Sequence, residues 1–354
     1  MASRYKFIDL LRGLAILLMV LNHTARYWLD ERSALFAYEV IYSTVTLAAP
    51  LFLFLVGFCL SLSFENALIK YRTNQRVILK YLIRGVGTII IGYIFSLAVF
   101  GAGSVWDGRV LQAIGLSIIL AIPFLYLWDR QPARKYIVAL IFALPFAFWI
   151  FFQPLSSWVG SHFWLGKIFF LEFPLWPFFS LVLWGLVMGK YFVRYRNDPD
   201  KLKTWLEKMF NGGLVLVLAA FFLTYVRLII SGGRLMGFDN DSILNNCWAP
   251  GPVTSLWIAG AIFVLLPFFV FVGDKAGKFG AWLEKLGQAA LFVYVLHHLI
   301  VLNLFSALFG FRAGNPIFYL MDVLMLIILL VYCSLLWMWL KKLVKENLCF
   351  PLLK

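Results

Sequence analysis

The chain alternates long apolar stretches with short polar ones along its whole length. Ten of the apolar stretches are about 20 residues long, which is the length that an α-helix needs to cross a bilayer. The fifth is short and contains Pro145. The ten stretches lie near residues 7–27, 40–63, 81–100, 110–128, 136–152, 169–190, 211–231, 253–273, 287–307 and 317–340. This pattern predicts an all-α integral membrane protein with about ten transmembrane helices in one bundle.

Basic residues fall mainly on one side of the predicted membrane. If the N-terminus is cytoplasmic, 23 of the 31 Lys and Arg residues lie in the inner segments and seven in the outer segments, while Arg12 lies within the first helix. Cytoplasmic segments of membrane proteins collect Lys and Arg. The asymmetry therefore predicts that both termini are cytoplasmic.

Composition narrows the class of protein further. Hydrophobic residues make up 63% of the 354 residues and charged residues only 14%, which excludes an ordinary soluble domain of this size. The formal net charge of +14 indicates membrane topology rather than binding to nucleic acid. The four cysteines have neither a zinc-site spacing nor the pattern of a disulfide framework. We expect one transmembrane domain over residues 1–354 of a multi-pass protein in the cell membrane, which is the cytoplasmic membrane if the source is bacterial.

The first apolar stretch, IDLLRGLAILLMVLNHTARYW, carries ionisable side chains that hydrocarbon penalises. Arg12 and His23 are eleven residues apart, so on a helix they share one face, about 16 Å apart along the axis. Asp9 falls within about 40° of His23 by the same count. Intramembrane ionisable groups usually have a function, so this polar face predicts a cavity near His23. Alternatively, Asp9 and Arg12 form a structural ion pair near the inner interface.

Three more polar residues lie at or within predicted helices. His297 and His298 are adjacent in LGQAALFVYVLHHLI, about 100° apart on a helix, so we expect only one of them to face the other helices. His297 is a candidate for substrate binding, although the pattern favours a structural hydrogen bond to a neighbouring helix. Gln112, in RVLQAIGL, either lines a polar path for a substrate or forms a hydrogen bond between helices.

Two groups in the connecting segments are further candidates. His162, Lys167 and Glu172 lie in or near the predicted outer segment before the sixth helix, where they either contact a substrate or belong to an ordinary wet loop. A basic run faces the cytosol at roughly helical spacing, and it either attracts anionic headgroups or clamps the phosphates of a donor. The members of this run assigned to donor binding are Arg72, Arg76, Lys80 and Arg84.

Breaks in the helices and missing motifs complete the picture. Pro50 in APLFLFLVG is expected to interrupt the second helix, and Pro174 and Pro177 the start of the sixth, which would agree with a watery cavity. The sequence contains no glycine-rich nucleotide loop, HExxH, GxSxG or paired acidic metal site. Metal-dependent and serine-triad hydrolysis therefore have no support, and we expect no metal.

Five segments, in order along the chain, resemble the bacterial relatives of heparan-alpha-glucosaminide N-acetyltransferase within the transmembrane acyltransferase superfamily. They are IDLLRGLAILLMVLNH, APLFLFLVGFCLSLS, RVLQAIGLSIILAI, FPLWPFFSLVLWGLVMGKYF and LGQAALFVYVLHHLI. The spacing from Arg12 to His23 also matches the first helix of the related type 3 acyltransferases, whose third helix is richer in arginine than LIRGVGTIIIGYIF. The similar animal enzyme carries its active histidine in the loop after the first helix, whereas here that loop, TARYWLDERSALFAYE, has none.

The resemblance implies a fold, a reaction and site residues. It implies acyl-CoA, with acetyl-CoA as the expected form, as the donor, and a sugar or glycan hydroxyl or amine at the outer side of the membrane as the acceptor. It places acyl transfer on His23, as general base or acyl carrier, with Arg12 as its partner and Asp9 holding Arg12. Partial burial favours the neutral imidazole that either role needs. The alternative is a multi-pass transporter or flippase for a glycan or small anionic metabolite, and the sequence leaves a homodimer open.

Overall fold

The structure, a computed structural model, is built from α-helices. It describes residues 5–30, 47–71, 73–104, 108–128, 130, 133–140, 143, 147, 175–232, 251–305, 313 and 315–348. Within these ranges no strand forms, and a single β-bridge joins Leu29 to Ala313. The predicted all-α fold class is confirmed.

Ten helices can be named in the described part of the chain, and a further helical stretch covers residues 133–140. The helices are α1 Lys6–Trp28, α2 Ala48–Tyr71, α3 Asn74–Phe100, α4 Val110–Leu127, α5 Leu175–Tyr195, α6 Pro199–Ile230, α7 Pro252–Val272, α8 Gly277–Gln288, α9 Ala290–His298 and α10 Pro316–Leu348. A π-helical turn, Leu299–Leu304, continues α9.

Most of the predicted spans correspond to helices of membrane-crossing length. Among the described residues, α1, α2, α3, α4, α6, α7 and α10 are long and apolar enough to cross a membrane, and α8 with α9 makes an eighth if that bent pair counts as one span. Helix α5 coincides with most of the predicted sixth span, and the fifth lies largely outside the described residues. The protein is therefore a multi-pass membrane protein, whereas the count of ten and the cytoplasmic termini stay predictions.

The chain divides into two compact units, which we call the central unit (residues 49–267) and the terminal unit (residues 4–48 and 268–354). In the central unit, glycines face the backbone of the neighbouring helix at several crossings. A Cβ on Gly57 or Gly185 would collide with a backbone carbonyl across the α2–α5 crossing, and Gly85 and Gly115 oppose each other between α3 and α4. Such small residues let helices in lipid approach closely and gain van der Waals contact.

The terminal unit is organised by a crossing of α8 over the first half of α1. Gly13 of α1 lies against the carbonyl oxygen of Leu283, and Gly287 of α8 lies against the carbonyl oxygen of Asp9. Between α8 and α9 the chain bends by 81° at Ala289, near the start of the predicted ninth span, and α9 with its π-helical turn covers residues 290–304 of that span. After this bend α9 also packs on α1.

The expected interruption of the second helix at Pro50 stays a prediction, because residues 31–46 before α2 lie outside the described residues. Pro50 lies in the first turn of α2, where its missing N–H has no intrahelical partner to lose. Pro177 likewise lies in the first turn of α5, whereas Pro174 lies outside the described residues. Prolines in helix interiors occur instead at Pro123 in α4 and Pro267 in α7.

Candidate active site

Three imidazole rings meet inside the terminal unit. His23 comes from the last third of α1, and His297 and His298 come from the end of α9. The ring centroid of His23 lies 5.2 Å from that of His297 and 4.4 Å from that of His298. His297 and His298 are themselves 4.1 Å apart. The expectation that only one of the adjacent histidines faces another helix is therefore wrong, because both contact His23.

A hydrogen bond joins two of these rings end to end. His23 Nδ1 lies 2.9 Å from His297 Nε2, and the two ring planes are within 7° of parallel. The centroid separation of 5.2 Å is what two in-line rings joined by such a bond would show, so the rings meet edge to edge rather than face to face. Each nitrogen therefore points along the line of the bond, as a strong hydrogen bond requires.

The other nitrogen of each α9 histidine is bonded to the backbone of its own helix. His297 Nδ1 lies 2.9 Å from the carbonyl oxygen of Val293, and His298 Nδ1 lies 2.8 Å from that of Tyr294. A carbonyl oxygen only accepts, so both Nδ1 atoms carry the proton and donate it. The Nε2 of neutral His297 then holds a lone pair, and His23 is the donor in the bond between them.

Burial differs within the cluster. His297 has no exposed surface and His298 is buried, whereas His23 is partly exposed. In the part of the chain that the structure describes, no hydrogen bond to His23 Nε2 is found. Of the three rings, His23 is thus the one that keeps some exposed surface.

The end of α1 that carries His23 is held on several sides within the terminal unit. Thr24 Oγ1 lies 3.1 Å from the hydroxyl of the fully buried Tyr319 on α10. Trp28 Nε1 donates to the carbonyl oxygen of Val301 in the π-helical turn, and its ring packs on Phe305. Single π-turns in helices occur frequently at functional sites, and here one follows directly after the histidine pair.

At the other end of α1, Asp9 and Arg12 form the ion pair that their spacing predicts. Arg12 Nη1 lies 3.3 Å from Asp9 Oδ1. The Asp9 side chain is 1% exposed and that of Arg12 is 32% exposed, so the carboxylate is buried while the Arg12 side chain stays partly exposed. The pair occurs on the same helix as His23, three turns away.

The histidine cluster also has the composition of a metal site. One nitrogen from each of the three rings lies within 4.8 Å of the others. Two nitrogens of a tetrahedral zinc site, however, lie about 3.3 Å apart with both lone pairs aimed at the ion. Here His23 Nδ1 and His297 Nε2 point at each other at 2.9 Å, which leaves no room for an ion between them. The observed arrangement favours the hydrogen bond.

The other candidates fall into the central unit or outside the described residues. Gln112 is buried and donates to Ser96 on α3, so the interhelical hydrogen bond, one of the two roles predicted for it, is present, while its Oε1 finds no partner in the described part. Arg76 and Arg84 are exposed on α3, and Lys80 between them donates to Ser63. The candidates that lie outside the described residues are Arg72, His162, Lys167 and Glu172.

Comparison with known families decides which group the chain belongs to. The family model described as heparan-alpha-glucosaminide N-acetyltransferase, catalytic, matches residues 4–219, more than half of the chain. The chain belongs to this acetyltransferase family. A search of curated proteins finds no match. The predicted resemblance is thus confirmed at the level of the family, and the chain is a multi-pass membrane protein of an acetyltransferase type.

The family match covers one side of the histidine cluster only. Asp9, Arg12 and His23 lie within residues 4–219, and His297 and His298 lie beyond them. Sequence reasoning did not include His298 among the site residues, although the HH pair stood out in the sequence. Helical spacing alone could not show that both rings reach the same partner.

Proposed function

We propose that the protein transfers an acetyl group from acetyl-CoA to a sugar, with His23 as general base or transient acyl carrier. The family name supports an amine of a glucosamine-type sugar as one acceptor, and a sugar hydroxyl offers the same chemistry. The observation that carries this proposal is the partly exposed His23 ring, oriented at 2.9 Å by a buried histidine. A base or nucleophile held by a third group is the usual arrangement in acyl transfer.

As general base, His23 takes the proton of the acceptor while the acceptor oxygen or nitrogen attacks the thioester carbonyl. The tetrahedral intermediate then collapses, the C–S bond breaks, and the CoA sulfur leaves with the proton that His23 returns. As acyl carrier, the His23 ring itself attacks the carbonyl, the C–S bond breaks and CoA leaves as the thiolate. The acceptor then removes the acetyl group from the cationic acyl-imidazole, and the acceptor's proton passes to the thiolate. Both routes need a neutral imidazole with a lone pair on the reacting nitrogen.

We assign supporting roles to the remaining polar residues. Arg12, held by Asp9, orients the donor or stabilises negative charge along its path. Arg76, Lys80 and Arg84 share one face of α3 at intervals of four residues and bind the CoA phosphates. The acceptor is contacted by the candidates of the outer segment before the sixth predicted helix, His162, Lys167 and Glu172, with Gln112 as a further candidate.

The central experiment is an acetyltransferase assay with purified protein in detergent. We expect His23→Gln to lose more than a hundredfold in acetylated product from acetyl-CoA and a panel of amino sugars and sugar alcohols. The exposed Lys203→Gln on α6 is the control and should keep full activity. A His23→Gln protein that is monodisperse and fully active would remove His23 from the mechanism.

The same assay separates the enzyme from a transporter. Detergent solution has no compartments, so a transporter or flippase yields no acetylated product there, whereas the enzyme does. To separate the two routes, radiolabelled acetyl-CoA is mixed with protein without acceptor and the reaction is quenched in the cold. Label on the peptide that contains His23 indicates an acyl carrier, and its absence during full turnover indicates a general base.

A further inference from the structure

We infer that His297 is a positioning residue, which holds His23 in the tautomer protonated at Nδ1 and so makes His23 Nε2 the reacting atom. The role in catalysis rests on the proposed function, whereas the tautomer is a property of the protein by itself. His297 lies beyond the residues matched by the family model, so the family match does not supply this assignment.

The direction of the hydrogen bond follows from the far side of His297. Its Nδ1 donates to the carbonyl oxygen of Val293 in the preceding turn of α9, and that oxygen cannot donate in return. His297 has no exposed surface, so a doubly protonated, cationic ring would be buried at a large cost. Its Nε2 is therefore an acceptor, and the hydrogen atom in the 2.9 Å contact belongs to His23 Nδ1.

The consequence for His23 is a choice between its two nitrogens. The hydrogen bonds of the two ring nitrogens decide which of them carries the proton in a neutral histidine. With Nδ1 protonated and bonded to His297, Nε2 on the far edge of the ring holds the lone pair. No described residue forms a hydrogen bond with that nitrogen, and the ring is partly exposed. Nε2 is thus the atom that accepts a proton or an acyl group.

The bond also gains strength as the reaction proceeds. When Nε2 takes a proton or an acetyl group, the His23 ring becomes cationic and its Nδ1–H becomes a charge-assisted donor to neutral His297. Such hydrogen bonds are roughly twice as strong as neutral ones. An interaction that is stronger after proton transfer than before it lowers the barrier rather than only fixing the ground state.

Two substitutions at one position separate this role from packing. His297→Gln keeps an amide oxygen that can accept from His23 Nδ1, whereas His297→Leu fills similar space without an acceptor. We expect His297→Leu to lose roughly ten- to hundredfold in kcat with little change in KM for acetyl-CoA, and His297→Gln to recover most of that loss. Equal losses in both variants, each folded and monodisperse, would overturn the positioning role.

The tautomer is measured independently of activity by ¹⁵N NMR of histidine-labelled protein. The chain has only four histidines, so each signal is assigned by its own Gln variant. We expect His23 to carry its proton on Nδ1 in the natural protein and in His297→Gln, and to shift toward Nε2 in His297→Leu. A natural protein protonated at His23 Nε2 would overturn the inference. If His23→Gln instead keeps activity while the Nδ1 tautomer is found, the proposed function fails and the hydrogen bond stands.

A metal-binding role for the same three rings gives a different result in one further measurement. Protein treated with a strong chelator is assayed before and after addition of Zn²⁺ alone. We expect unchanged activity and an unchanged His23 tautomer, since the hydrogen bond needs no ion. Loss of activity on chelation with recovery on zinc addition would overturn the inference, because His23 Nδ1 and His297 Nε2 would then be ligands.

Discussion

A single methyl group at Gly287 should disturb the histidine cluster from a distance. Gly287 lies on α8 where that helix crosses α1, and a Cβ there would overlap the carbonyl oxygen of Asp9. The obstacle is backbone, so no side-chain rotation can relieve the overlap. In Gly287→Ala, α8 must move away from α1, and α9 begins only two residues after the last residue of α8.

The size of the effect follows from the contact of Gly287 with the carbonyl oxygen of Asp9 and from the hydrogen bond between His23 and His297. Overpacking of a close-packed crossing typically costs about 1–3 kcal/mol of stability. Relief of the overlap needs a displacement on the order of 1 Å, because close-packed interiors leave no voids to take up the methyl group. If α9 moves with α8, the 2.9 Å bond between His23 and His297 stretches past the limit of a hydrogen bond. A misplacement of about 1 Å in a reacting group can cost up to about a hundredfold in rate.

The assay pairs thermal unfolding in detergent with acetyltransferase activity. The control is Gly212→Ala on α6, where a Cβ would meet nothing within 4 Å and where alanine is the better helix former by about 1 kcal/mol. We expect Gly287→Ala to melt earlier and to lose activity, and Gly212→Ala to melt at or above the natural temperature with full activity. A Gly287→Ala protein as stable and as active as the control would refute the reasoning from the crossing.

Three further predictions concern stability alone. Glu65 lies 2.9 Å from Lys190, whose side chain is only 4% exposed. Glu65→Leu removes the carboxylate but keeps the buried ammonium, so it should destabilise the protein by about 1–3 kcal/mol in thermal unfolding, and Lys190→Met, which removes that charge, by less. A larger loss in Lys190→Met than in Glu65→Leu would contradict this. Tyr319→Phe removes a fully buried hydroxyl bonded to α1 and should cost about 1 kcal/mol, which an unchanged melting temperature would disprove. A hydrogen bond from the Lys201 side chain, joined by its backbone N–H, holds the pKa of Asp198 below its usual value. The amides in the first turn of α6 should therefore be protected from exchange, relative to their intrinsic rates, above the usual pKa of aspartate. This protection should be lost only as the pH falls through the lowered pKa of Asp198. Asp198→Ala should lack the protection at every pH, and protected amides in that variant would count against the cap.

Sequence patterns predicted the features that depend on one helix alone. The ion pair of Asp9 with Arg12 follows from their spacing of three residues, and the polar face of α1 follows from the helical period. Both features need only the geometry of a regular helix.

Features that depend on two distant segments could not be predicted in this way. The bend of 81° at Ala289 has no proline to mark it, and it falls where the amphipathic helix α8 passes into the apolar helix α9. Lys190 is the last residue of the predicted sixth span, and its ammonium is paired with Glu65 of α2. In both cases a neighbouring segment, which the local pattern does not encode, decides the outcome.

The histidine cluster shows how a membrane helix can keep polar side chains at a tolerable cost. Each buried imidazole of α9 satisfies one nitrogen on the carbonyl of its own preceding turn, so neither ring leaves an unpaired N–H in an apolar region. His297 then presents its remaining lone pair to His23, and the proton that completes this bond comes from the one ring of the three that is partly exposed. The chain of donors therefore runs from the exposed ring into the buried one and ends on backbone. At the accessible end of this chain His23 Nε2 holds a lone pair, and on the proposed function this is where the acetyl donor and its acceptor meet.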